Sequence, residues 1–178
     1  MKRLMTRRAA LATALAALPL ATVPIRPAQA APGALRQPQG KVILTISGRI
    51  TSTNLNGTAV FDIAMLEELG VKGFSTTTPW YNGPVSFEGV HMAQLLDHVG
   101  ASGTKVTALA LNDYSTDIPL EDFHRYDAIL ALKRDGAYMP VRDKGPLFIV
   151  YPYDSDPALK HQRYYSRSAW QVARLVVN

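Results

Sequence analysis

Short segments of alternating apolar and polar residues follow one another from residue 41 to the end of the chain. Residues 41–50 alternate well enough to predict a strand, with one side formed by Val42, Leu44 and Ile46 and the other by Ile43, Thr45 and Ser47. Further strands are predicted on the same grounds at 71–78, 85–88, 105–111, 128–134, 137–139, 147–151 and 172–177.

Two segments instead have the pattern of short helices. Asp62 can cap the N-terminus of a helix over 63–69, and Gly70 ends it. Residues 90–99 carry apolar side chains at helical spacing and stop at Gly100. Asn56-Gly57 and Asp135-Gly136 are turn signals, and the latter predicts a two-residue hairpin. Short helices among many strands predict a single α+β domain, built on a mixed β-sheet, over residues 41–178.

The first thirty residues have the composition of an export signal. A basic start is followed by an apolar run of Ala and Leu and by Ala28-Gln29-Ala30, a small-x-small cleavage site. The sequence therefore predicts a periplasmic protein that is cleaved near Ala30, with residues 31–40 as a flexible leader. Residues 6–11 also resemble a twin-arginine signal, so both export routes stay open.

The net positive charge of the chain comes from this N-terminal segment. The whole chain has 19 Lys and Arg against 14 Asp and Glu, but five of the cations lie in residues 1–30. The remaining residues carry 14 charges of each sign. That balance excludes binding to nucleic acid by bulk positive charge.

The chain has no cysteine, which excludes thiolate metal sites, redox dithiols and cysteine nucleophiles. No Gly-x-Ser-x-Gly elbow, phosphate loop or dinucleotide glycine pattern is present. Two of the four histidines, His91 and His98, fall on one predicted helix without a third ligand, so a surface role is favoured over zinc. No catalytic residue and no metal site is predicted.

Aromatic and hydrogen-bonding residues are concentrated in three predicted loops, at 76–83, 112–115 and 151–170. Flat aromatic walls with a few convergent polar groups are typical of a small-molecule pocket. A tyrosine-rich surface and ordinary core aromatics are the alternatives, and composition alone does not separate the three.

The order of segments along residues 41–178 resembles the oxidoreductase molybdopterin-binding domain, the sulfite-oxidase fold. The matching segments are 44–48, 80–85, 89–96, 112–120, 130–140, 144–152 and 166–170. Enzymes of the family that this chain resembles hold molybdenum through a cysteine thiolate, so the resemblance implies a cysteine in the corresponding segment. Here the corresponding residues 74–78 read Phe-Ser-Thr-Thr-Thr, and Phe148 takes the place of a basic residue that would bind the cofactor's phosphate.

The pattern more narrowly resembles small, cysteine-free exported proteins of this fold. Some of these are periplasmic pterin-binding regulators of membrane cyclic-di-GMP synthases or hydrolases. The resemblance therefore implies a periplasmic sensor that binds a pterin and signals by contact with a membrane partner. The alternative is a molybdopterin-dependent oxidoreductase subunit with an atypical metal site.

A pterin is a flat ring with defined hydrogen-bond donors and acceptors, which determine the residue types that can bind it. Its 2-amino group and N3–H suit a carboxylate, for which Asp113 is the first candidate and Asp143 the second. Arg167 is the candidate donor to the 4-oxo group and N5, and Trp80 or Tyr165 the candidate stacking residue. The predicted pterin contacts are Trp80, Asn112, Asp113, Tyr114, Asp143, Tyr165 and Arg167. Three of these candidates also have a structural alternative: a turn for Asp113, a surface ion pair for Arg167 and a core position for Trp80.

Overall fold

A computed structural model describes residues 35–178 as ten strands, four short α-helices and two 3₁₀ helices, Val141–Asp143 and Pro157–Leu159. The predicted signal peptide and the first residues of the predicted leader lie outside the described residues. The strands are β1 (Leu44–Gly48), β2 (Ala59–Phe61), β3 (Val71–Thr77), β4 (Pro84–His91), β5 (Lys105–Ala110), β6 (Ser115–Pro119), β7 (Ile129–Arg134), β8 (Ala137–Tyr138), β9 (Phe148–Val150) and β10 (Val172–Val177). The helices are α1 (Ile63–Glu68), α2 (Met92–His98), α3 (Leu120–Arg125) and α4 (Gln162–Arg167).

The strands form two sheets. The first has the order β2-β1-β10-β5-β6, with β1 and β10 parallel and the other neighbours antiparallel. The second is antiparallel, with the order β3-β4-β7-β8 and with β9 also paired to β7. The parallel pair joins the first and last strands of the domain, and the predicted α+β class with a mixed sheet is confirmed.

The capping and turn signals act as the sequence predicts. The Asp62 carboxylate accepts a hydrogen bond from the Met65 amide at 2.8 Å, and Gly70 follows α1 with a φ of +98°. Asp62 also accepts bonds from the amides of Gln39 and Gly40, so the end of the predicted leader is attached to α1. The Asp135-Gly136 hairpin has positive φ at both residues, as a type I′ turn requires.

Several elements differ from the sequence-based prediction. The helix predicted over 90–99 begins only at Met92, because Val90 and His91 continue β4 and pair with β7. His91 therefore ends a strand and does not share a helix with His98. The strands β2 and β6 and the helix α3 lie in segments with no predicted element, and α4 lies within the predicted loop 151–170.

One hydrophobic core draws side chains from both sheets and from all four helices. Its largest fully buried side chains are Tyr151, Tyr153, Phe61, Phe87 and Phe148. Tyr151 stands both at the end of the predicted strand 147–151 and in the predicted loop 151–170, and Tyr153 stands in that loop. Both are core residues instead of ligand contacts, because their rings pack against Tyr164 and Tyr165 of α4, at 5.4 and 5.1 Å between centroids. Among residues 35–178, no helix is both long and apolar enough to span a bilayer.

Candidate functional site

A cavity of about 320 Å³ opens between the β5–β6 turn, the loop after β3 and the helix α4. Ligand pockets range from about 300 to 1,000 Å³, so this cavity has room for one small ring system. Its lining combines aromatic rings with neutral hydrogen-bonding groups. The lining residues are Pro79, Trp80, Asn112, Tyr114, Gln162, Tyr165, Ser166, Ser168 and Trp170.

Two larger clefts, of about 490 and 750 Å³, lie beside α1 and share Arg36 and Glu68. Neither is lined by a tryptophan or a tyrosine. The smaller cavity is the better candidate site, because of these three it alone is lined by tryptophan and tyrosine rings together with neutral amide and hydroxyl groups.

Trp80 is the centre of the aromatic wall. Its ring makes edge-to-face contacts with Phe148 at 5.4 Å, Trp170 at 5.7 Å, Tyr165 at 6.1 Å and Tyr153 at 6.2 Å between centroids. Each such pair contributes about 0.5–1.5 kcal/mol beyond burial, so the indole is rigidly held. Trp80 thus belongs to the core on one side and borders the cavity on the other.

Helix α4 provides the polar wall of the cavity. The His161 side chain caps the helix by accepting a hydrogen bond from the Arg163 amide at 3.1 Å. Residues spaced three and four apart share a helix face, which places Gln162, Tyr165 and Ser166 together along the cavity. Tyr164 lies on the other face and is buried in the core.

The β5–β6 turn forms the opposite wall. Asp113 occupies the left-handed region with a φ of +64°, and the Asn112 side-chain oxygen accepts a hydrogen bond from the Tyr114 amide at 3.2 Å. The Tyr114 hydroxyl then donates to the Ser166 carbonyl at 2.8 Å. This bond connects the turn to α4 across the cavity.

Four of the predicted contacts, Trp80, Asn112, Tyr114 and Tyr165, are brought together around the cavity, but the three charged ones do not line it. Asp113 is an exposed turn residue. Asp143 forms an ion pair with Arg134 at 2.8 Å and accepts a hydrogen bond from the Tyr81 hydroxyl at 3.4 Å. Their contacts with a ligand stay predictions.

Arg167 points to a buried polar cluster instead of the cavity lining. Its Nη1 donates to Asp122 Oδ2 at 2.6 Å, and the Tyr151 hydroxyl donates to the same oxygen at 3.0 Å. Burial, with the nearby Asp122 charge, strongly raises the pKa of Tyr151, so this phenol stays protonated as a donor. The ion pair that sequence reasoning offered as the alternative for Arg167 is therefore present, with Asp122 as its partner.

Four further residues line the cavity, Pro79, Gln162, Ser166 and Ser168. They lie within the predicted loops 76–83 and 151–170 but are not among the predicted contacts. Trp170 also lines the cavity, and its ring packs against the hydrophobic core as well. The helical spacing of 162, 165 and 166 was the available signal, but the predicted loop over 151–170 concealed it.

The residues at the family's cofactor positions do not fit molybdenum. Thr76 is buried, and its hydroxyl accepts a hydrogen bond from the Asp154 amide at 3.1 Å. Thr77 donates through its amide and hydroxyl to the Asp154 carboxylate. Hydroxyl groups are poor ligands for a metal that prefers sulfur, and these two are already engaged within the protein. Phe148 is fully buried against Trp80 and offers no charge to a phosphate.

Comparison with known proteins gives the family. Residues 60–154, more than half of the chain, match the family model of the oxidoreductase molybdopterin binding domain. The matched range runs from β2 to the segment after β9 and includes Trp80 and the β5–β6 turn. A search of curated proteins gives no match. The chain thus belongs to the oxidoreductase molybdopterin-binding domain family, whose fold is that of sulfite oxidase.

Proposed function

We propose that this protein is a periplasmic pterin sensor, which binds a pterin without molybdenum and signals by contact with a membrane protein. The observation that carries the proposal is the cavity of about 320 Å³ with aromatic walls, in a member of this family that has no thiol. The partner that the sequence resemblance implies is a cyclic-di-GMP synthase or hydrolase.

The electrostatics of the cavity suit a neutral ring. No lysine, arginine, aspartate, glutamate or histidine is among its lining residues. A simple pterin ring is uncharged at neutral pH, so it enters such a cavity without the cost of burying an unpaired charge. The charged candidates from the sequence are not needed for this mode of binding.

Neutral groups supply the complementary hydrogen bonds. The Asn112 side-chain nitrogen can donate to a ligand, while its oxygen is engaged by the Tyr114 amide, and the Gln162 side-chain oxygen can accept. The Ser166 hydroxyl already donates to the Gln162 carbonyl, so it can act toward a ligand only as an acceptor. Tyr165 and Trp170 supply the apolar contact on the ring. A few such contacts are sufficient for micromolar affinity, which corresponds to about −8 kcal/mol.

The alternative function is a molybdopterin-dependent oxidoreductase subunit with an atypical metal site. The hydrogen bonds that engage Thr76 and Thr77 and the buried Phe148 disfavour it. Elemental analysis of protein isolated from its native periplasm distinguishes the two: one molybdenum per chain would establish the oxidoreductase.

Binding is tested by quenching of tryptophan fluorescence in the purified protein during titration with oxidised and tetrahydro forms of a 6-substituted pterin. We expect a dissociation constant in the micromolar range for at least one form. Asn112→Ala and Tyr165→Leu should weaken binding at least tenfold. Asn82→Ala is the matched control, because Asn82 is an exposed residue in the loop after β3 that does not line the cavity.

The absence of quenching up to about 1 mM, by wild-type protein that is folded, would reject the pterin ligand. The signalling half of the proposal is tested separately by cellular cyclic-di-GMP. Deletion of the gene should change its level, and Asn112→Ala should reproduce that change at wild-type protein abundance. A level unaffected by deletion would reject the signalling partner.

A further inference from the structure

An apolar groove lies where β1 and β10 meet the segments after β5 and β8. Its volume is about 280 Å³, and it is lined by Lys41, Val42, Ile43, Thr45, Leu111, Val141, Pro146, Ala173 and Arg174. Val42 is 40% exposed, Val141 49% and Leu111 55%. Three of the seven large hydrophobic side chains that are exposed among residues 35–178 therefore surround one concave site. Exposed apolar residues gathered in this way are typical of a contact surface.

The rim of the groove is positively charged. Lys41 and Arg174 line it, no acidic residue does, and the exposed Arg142 follows Val141 directly. Each of the ion pairs formed within residues 35–178 involves other cations, so these three have no carboxylate within 4 Å in that range. Unpaired cations around an apolar groove complement a segment that is apolar and acidic.

The groove is next to the ligand cavity along the chain. Leu111 of the groove directly precedes Asn112 of the cavity lining, and Gln171 directly follows Trp170 of the same lining. The Leu111 amide donates to the Gln171 carbonyl at 2.9 Å, and the Gln171 side chain donates to the Val141 carbonyl at 2.6 Å. A ligand that displaces Asn112 or Trp170 would therefore move two sides of the groove.

We propose that this groove binds an acidic segment of a protein partner, which inserts one or two apolar side chains between Leu111, Val141 and Val42. This inference rests on the proposed function, because it locates the contact by which the sensor would transmit ligand binding. The cations at Lys41, Arg142 and Arg174 pair with the acidic residues of the partner segment.

The charge and shape of the groove favour an acidic protein segment over a second copy of this chain and over a membrane surface. A second copy in a two-fold contact would bring its own Lys41 and Arg174 against the same cations. An anionic membrane is flat, whereas the apolar side chains here line a concavity and only three cations surround it.

The test places a photo-crosslinking amino acid at Leu111 or at Val141 in the full chain, expressed in its native cell. Leu55, which is 47% exposed and lies outside the groove, is the control position. We expect both groove positions to give the same protein adduct, with the crosslink mapped to an acidic segment. Lys41→Glu with Arg174→Glu in the same chain should reduce its yield at least tenfold, whereas Lys72→Glu, an exposed cation of β3, should not.

Three results would overturn the proposal: a dimer of the chain or a lipid as the adduct, equal yield from Leu55, or a yield unaffected by charge reversal. Pterin binding by the same variants is measured separately by fluorescence. A specific adduct without pterin binding would reject the pterin ligand and support the docking groove. Pterin binding without a specific adduct would support the pterin ligand and reject the docking groove.

Discussion

Thr77 binds Asp154 through two groups at once, with its amide nitrogen 2.6 Å from one carboxylate oxygen and its hydroxyl 2.7 Å from the other. Lys160 completes the cluster with an ion pair at 2.7 Å. Thr77 belongs to the segment in which the family resemblance implies a metal-ligating cysteine. In this chain the segment instead connects β3 to the polypeptide after β9, so its hydroxyls have a structural partner.

The Asp154 cluster predicts acid-sensitive stability. Hydrogen bonds from Lys160 and from the amide and side chain of Thr77 hold the pKa of Asp154 well below its usual value of about 3.9. A lowered folded-state pKa stabilises the protein above pH about 4, and this contribution is lost as the pH falls further. Asp154→Asn should therefore have a lower melting temperature at pH 7, and its difference from wild type should shrink below pH 4.

Differential scanning calorimetry from pH 7 to pH 2 measures this effect. Asp113→Asn is the control, because Asp113 is exposed and accepts no hydrogen bond within residues 35–178. A difference between Asp154→Asn and wild type that stays constant with pH would contradict the argument.

Asp62 is expected to be a larger contributor to stability. Its buried carboxylate accepts hydrogen bonds from the amides of Gly40, Met65 and Gln39, which lower its pKa against the opposing effect of burial. Asp62→Ala removes the cap of α1 and leaves three amides without this acceptor. We expect a loss of about 2 kcal/mol in the free energy of unfolding, measured with urea. Asp97→Ala in α2 should change it by less than about 0.5 kcal/mol, because the Asp97 side chain is exposed.

Substitution of Arg167 distinguishes a structural role of this residue from a role in ligand binding. Arg167→Met leaves the largely buried Asp122 carboxylate with only Tyr151 as a donor, and we expect a loss of about 2 kcal/mol in unfolding free energy. Asp122→Asn in the same chain should recover part of that loss, as a double-mutant cycle would show. Pterin affinity should change less than twofold, because Arg167 does not line the cavity. Weaker binding at unchanged stability would instead establish the contact predicted from sequence.

The bond between Tyr114 and Ser166 predicts an effect on pterin affinity together with a small effect on stability. Tyr114→Phe removes the hydroxyl that connects the β5–β6 turn to α4, while the 45% exposed ring remains. The hydrogen bond contributes about 0.5–1.5 kcal/mol to folding, so the free energy of unfolding should fall by that amount. Pterin affinity should fall as well, by up to roughly tenfold, because the turn and α4 no longer hold the cavity in one shape. Fluorescence titration measures the affinity, and urea denaturation measures the stability. Unchanged affinity would mean that the cavity keeps its shape without this bond.

Trp80 should act mainly through packing. Its four edge-to-face neighbours lose their common contact in Trp80→Ala, and we expect a loss of about 3 kcal/mol in the free energy of unfolding. Tyr165→Leu keeps most of the apolar volume and should cost less than half as much. Equal losses in urea denaturation would show that Trp80 is not the centre of the cluster.

Local signals in the sequence determined most of the helices, strands and turns, because caps, turns and short alternating patterns depend on residues that are close together in the chain. Asp62 caps α1 through an amide three residues away, and Asp135-Gly136 reverses the chain by its own backbone conformation. The boundary between β4 and α2 was wrong because Val90 satisfies a helical and a strand pattern equally well. Its pairing with Leu130, forty residues away, decides for the strand.

The residues of the candidate site were likewise predictable only in part. The sequence by itself determined that the chain has no thiol, that aromatic residues gather in three segments, and that Trp80, Asn112, Tyr114 and Tyr165 stand in them. Only the tertiary structure decided that these four share one cavity, while Arg167 turns to Asp122 and Asp143 to Arg134. A charge finds its partner through distances in space, and the partners here lie 45 and nine residues away along the chain. No local pattern can specify such a choice.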